Sequence, residues 1–145
     1  MTPDVNVLVS AYRADHPHHL PARRWLDETL RMAANGRASL ILLGMVLTGF
    51  IRVTTHPKVF RETDALPEVN AFVDSLLGCT GVHFQAQGAA WPDLRELCLK
   101  QQLTGNLVSD AWIAATVMQS GETLCTFDKD FARLLPSEQL ILLKH

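Results

Sequence analysis

Cysteine is scarce in this 145-residue sequence, and none of the spacings that make it structural occurs. Cys79, Cys98 and Cys125 lie far apart in apolar surroundings, which excludes a disulfide framework and a CxxC zinc site and predicts core thiols in a reducing compartment. An excess of charge of one sign is also missing. With 13 Lys and Arg against 15 Asp and Glu the net charge is −2, so a nucleic-acid role would have to rest on a local set such as Arg13, Arg23, Arg24, Arg52, Lys58 and Arg61. The most apolar stretch, Leu40 to Ile51, falls short of the roughly 18–20 residues that span a bilayer. The chain reaches an acid at Asp4 without a basic leader, which predicts no signal peptide and a soluble, cytoplasmic protein. No GxSxG elbow, P-loop or GxGxxG turn is present, and His16, His18 and His19, flanking Pro17, have no helical HxxxH spacing for zinc and read as a solvated cluster.

What is present is an alternation. The length suits one domain, and 48% hydrophobic with 19% charged residues describes an ordinary globular chain. Short apolar runs ending near Asp4 and covering Ser39–Leu43, Val82–Phe84, Thr123–Phe127 and Leu140–Leu143 read as strands. Between them, helical periods cover Asn6–Tyr12, Leu20–Ala34, Met45–Val53, Leu66–Leu77 and Ala89–Gln102, followed by a helix with Ser109 as its N-cap and a short one over Phe131–Leu135. Ala111, Ala114, Ala115 and Met118 give the Ser109 helix a small-residue face suited to close packing on a sheet. Trp25 and Trp91 are expected in the core, and Trp112 at a pocket mouth or a subunit contact. The alternation predicts a three-layer α/β/α sandwich around a central parallel sheet.

Aspartates recur where these runs end or helices begin: Asp4 in PDVNVLV, Asp110 in VSDAWIAA and Asp128 in LCTFDKDF. Parallel sheets bind ligands at the carboxyl ends of their strands, so acids placed there can converge. Each pair of carboxylates within ~4 Å costs on the order of 4 kcal/mol at an effective dielectric of 20, a cost that a divalent cation removes. Oxygen-only ligands suit Mg²⁺ or Mn²⁺, which assists phosphodiester hydrolysis. Asp110, expected in the first turn of its helix, would be held ionised by the helix dipole. Asn6 could hold a carboxylate or a water, Asp130 suits the N-cap of Phe131–Leu135, and the hydroxyls of Ser109 and Thr126 neighbour the acids as caps or supports.

In order and spacing, the segments PDVNVLVSAYRADHPHH, ARRWL, GFIRVTTHPKVF, AFVDSLL, GNLVSDAWIAA and TLCTFDKDFARL resemble the PIN-domain family, and within it the VapC-type toxins of toxin–antitoxin pairs. The resemblance implies a PIN-like fold and a Mg²⁺- or Mn²⁺-dependent ribonuclease with Asp4, Asp110 and Asp128 as its metal acids. It further implies a homodimer held inactive by a cognate antitoxin, with structured RNA as substrate. Many members carry a glutamate before the aromatic-aliphatic-Arg segment, where this chain has Gly49, so the acid set is incomplete unless Asp130 or a water supplies the missing oxygen. The competing expectation is a PIN-like module with a weakened site that binds RNA or its antitoxin. Phosphoryl transfer through a nucleophilic Asp4 would need a second acid beside it, and DVN has none.

Overall fold

The structure, a computed structural model, describes residues 1–86 and 90–144. Among the described residues five strands carry the fold: β1 Thr2–Pro3, β2 Leu40–Leu43, β3 Val82–Gln85, β4 Leu124–Thr126 and β5 Leu140–Leu142. All pairings are parallel, in the orders β1-β4-β5 and β2-β3. A backbone bond from Ile41 N to Met1 O (2.9 Å) joins the two ladders, so the strands run 3-2-1-4-5 across. Strands this short suffice because LILL in β2 and LCT in β4 are buried throughout, as central parallel strands must be.

The connections fix the layers. Helices α1 (Val5–Tyr12) and α2 (His19–Ala34) lead from β1 to β2, α3 (Gly44–Thr54) and α4 (Leu66–Leu77) from β2 to β3, and α5 (Trp91–Gln101) and α6 (Asn106–Ser120) from β3 to β4. Right-handed crossovers put α1 to α4 on one face and α5 and α6 on the other, which gives the expected α/β/α sandwich. The chain leaves β1 toward β2 but leaves β4 toward β5, so the strand order reverses between these neighbours. A crevice opens at such a reversal, outside the carboxyl ends of the strands.

Trp91 is 62% exposed instead of lying in the core, because α5 buries only Leu94 fully, with Leu97 and Cys98 half-buried beside it. Cys79 is exposed in the turn after α4, and only Cys125 is a fully buried thiol. Helix α6 starts at Asn106, three residues before the expected cap, because Gly105 at φ +60° makes the turn into it. The expected start of α5, Ala89, lies outside the described residues.

Candidate active site

Asp4 stands between β1 and α1. Its backbone is extended and one carboxylate oxygen accepts from Val5 N at 2.6 Å, so it caps the helix that follows. The other oxygen accepts from Thr126 Oγ1 at 2.6 Å and from Asn6 Nδ2 at 2.7 Å. Asn6 also receives Phe127 N on its side-chain oxygen (3.2 Å), and Thr126 Oγ1 receives Asp128 N (2.9 Å). Asn6 and Thr126 therefore stitch the end of β1 to the end of β4. A Thr ending a buried strand and an Asn in a first helical turn were legible as supports; their bridging of residues some 120 apart needed the fold.

Asp128 caps the 3-10 turn Lys129–Arg133, accepting from Asp130 N at 2.8 Å. That is the role expected of Asp130, whose side chain is instead exposed and does not line the crevice. The cap moves two residues forward because Asp128 keeps the extended backbone that a cap needs, while Asp130 is already in the turn.

Asp110 enters from α6. It is the fifth residue of the helix, beyond the first-turn amides, so the helix N-terminus does not hold it ionised as expected. Its carboxyl is pushed up to about 6, first by burial and then by the charges of Asp4, Asp128 and Asp130. Burial also raises the Asp4 carboxyl. Hydrogen bonds from Thr126, Val5 N and Asn6 work against that shift, and the charge of Asp128 adds to it. Three acids from three distant segments thus feel one another across one space.

That space is a cavity of about 640 Å³ whose lining includes Asp4, Asn6, Ser109, Asp110 and Asp128. Gly49 lines it too, and no carboxylate stands in its place. A Cβ built there would fall 2.6 Å from Val5 Cγ2, so α3 rests against α1 where the resemblance leads one to look for a glutamate. Trp112 does not line the cavity. It packs against the core, and its Nε1 is buried without a hydrogen-bond partner among the described residues.

The residue patterns did not join His16, Val53, Val59 and Phe60 to the acids, yet these line the same cavity, together with Arg52 of the basic set noted in the sequence. The histidine cluster is only partly solvated. His16 Nδ1 accepts from His18 N at 3.2 Å, burial lowers the pKa of His16, and the His18 ring stacks on Phe127 at 5.0 Å. No spacing rule links these residues to the acids, since a loop and a helix end bring them there.

The PIN domain family matches residues 1–134. The chain belongs to the PIN-domain family. Its relatives include ribonuclease VapC43 of Mycobacterium tuberculosis, 36% identical over 131 residues that cover 90% of this chain and 86% of the relative. Ribonuclease VapC25 of the same organism is 31% identical over 139 residues, covering 90% and 89%. Among solved structures, the M. tuberculosis toxin VapC20, described as cleaving the sarcin-ricin loop, superposes with a TM-score of 0.57 at 18% identity, over 90% of this chain and 92% of that one. The sandwich described above is thus shared with a solved VapC fold.

For a PIN-domain site, the test of a metal lies in its donors. The converging groups are carboxylates, raised by burial first and by one another's charge second, and hard oxygen donors of this kind fit Mg²⁺ or Mn²⁺. Among the described residues, no three His, Cys, Asp or Glu side chains form a ready cage. The fit is to a cation that keeps several waters and takes only one or two carboxylates directly.

Proposed function

We propose that this PIN-domain protein is a metal-dependent endoribonuclease, the toxin of a toxin–antitoxin pair, which hydrolyses phosphodiester bonds in structured RNA. The observation that carries the reading is the convergence of Asp4, Asp110 and Asp128 on one cavity, where the Asp110 carboxyl is raised first by burial and then by the charges of the other acids. The names of the VapC ribonucleases among its relatives support the reaction class. Asp4, Asp110 and Asp128 would hold the cation, Mg²⁺ or Mn²⁺, partly through its waters, and it would supply Lewis-acid assistance to the hydrolysis.

The rest is done by the chain. Thr126 and Asn6 aim the Asp4 carboxylate into the crevice, and Thr126 Oγ1 fixes the backbone of Asp128. Ser109 and Asn106, on the exposed start of α6, offer neutral donors to a phosphate oxygen at the cavity rim. Arg52 offers a positive charge from α3. A homodimer, cytoplasmic location and neutralisation by a cognate antitoxin belong to the same reading.

Stripped of metal with EDTA, the purified protein is expected to leave RNA intact and to cleave it once Mn²⁺ or Mg²⁺ is returned. Asp110→Asn should lose cleavage by at least about 100-fold while keeping its circular dichroism spectrum. Full cleavage in EDTA would overturn the metal assignment, and a fully active Asp110→Asn the residue assignment. The binding-module reading rests on Gly49, where the cavity lacks a further acid, and folded protein that binds RNA without cutting it in either metal would favour it.

A further inference from the structure

We infer that Phe60 is a stacking platform for an unpaired RNA base, held in position by Arg13; the inference rests on the ribonuclease reading and names how that site takes its substrate. Phe60 lies in the segment between α3 and α4 and lines the same cavity as Asp4, Asp110 and Asp128. The Arg13 guanidinium carbon sits 4.4 Å from the centre of its ring, a cation–π contact that covers one side of the ring and leaves the ring in the cavity wall.

Arg13 is itself tightly fixed. It donates to Asp15 at 2.9 and 2.7 Å, to Asp64 at 2.7 Å and to the Glu62 carbonyl at 2.9 Å, and its side chain is only 10% exposed. These bonds tie the end of α1, whose other end is Asp4, to the segment that carries Phe60. The ring is thereby set at a constant place relative to the acids.

The chemistry of the wall selects the ligand. A partly buried aromatic ring beside Val53 and Val59 offers an apolar face, and every nucleobase has a π-face to lay on one. Arg52 lines the same cavity, is exposed, and has no hydrogen-bond or ion-pair partner among the described residues, so it is available to a phosphate next to that base. Bases in a duplex are already stacked and paired, whereas loops, bulges and single strands can present one. The platform therefore takes RNA by its unpaired segments.

The test separates stacking from simple anchoring of the loop, since Leu keeps the packing and Trp keeps the stacking. Binding of a fluorescent single-stranded RNA of about 12 nucleotides is measured by anisotropy in an Asp110→Asn background, where cleavage is blocked, beside a fully paired duplex of the same sequence. Phe60→Leu and Phe60→Ala are expected to weaken single-strand binding by about 10-fold and Phe60→Trp by less than about 2-fold, with duplex binding the same for all. Should Phe60→Ala fail to fold, the Leu and Trp variants decide. Phe60→Leu binding the single strand as tightly as its parent would overturn the platform and leave the ribonuclease reading standing. A parent that binds no RNA at all would sink both.

Discussion

Asp110 shows how much one position owes to its surroundings. The sequence pattern predicts a first-turn carboxylate kept ionised by its helix; in the fold it is crowded by burial and by Asp4, Asp128 and Asp130, and its carboxyl rises from 3.8 to about 6. An acid raised in the folded state binds its proton there before the unfolded chain does. It therefore adds stability below the unfolded value, and that stability is lost as pH rises through about 6. Metal-free protein is expected to gain melting temperature as pH falls from about 7 to about 5, and Asp110→Asn to gain less. His16 and the raised Asp4, on the same cavity, are present in both proteins, so the difference between them reports on Asp110. Parallel curves for the two proteins would show that the carboxyl is not raised. The residue types at this site were legible because strand ends and helix starts are where acids gather; the raised carboxyl was not, since it depends on neighbours more than a hundred positions away.

At the scale of elements, Gly49 sets how closely α3 meets α1. Alanine there gains about 1 kcal/mol of helix propensity, yet its Cβ would stand 2.6 Å from Val5 Cγ2, a branched methyl that cannot swing clear as the end of a long side chain can. Overpacking of this kind costs about 1–3 kcal/mol, so Gly49→Ala is expected to destabilise the protein in urea unfolding, and Gly49→Glu more so. In a Val5→Ala background the same Gly49→Ala change should become stabilising. Destabilisation of equal size in both backgrounds would show that Val5 is not the obstacle. The helices and strands themselves could be read from period and punctuation, to within a few residues. What misled was local: Gly105 starts α6 early, Asp128 caps ahead of Asp130, and Trp91 on a helix with one fully buried side chain has no core to enter.

Across the whole molecule, the site follows from strand order. Parallel strands place every carboxyl end on one edge of the sheet, and the reversal between β1 and β4 opens the crevice where Asp4 and Asp128 stand, with Asp110 reaching it from α6. The alternation of elements predicted the layers and hence the convergence of the acids. It could not predict the rest of the lining, because the loop carrying His16 and the segment carrying Phe60 have no period to place them. The central claim is that the three aspartates form one cation site, and calorimetric titration of EDTA-stripped protein with Mn²⁺ tests it most directly. Saturable binding is expected in the parent, weakened by about 10-fold or more in each of Asp4→Asn, Asp110→Asn and Asp128→Asn. Equal Mn²⁺ affinity in the parent and all three variants would contradict it.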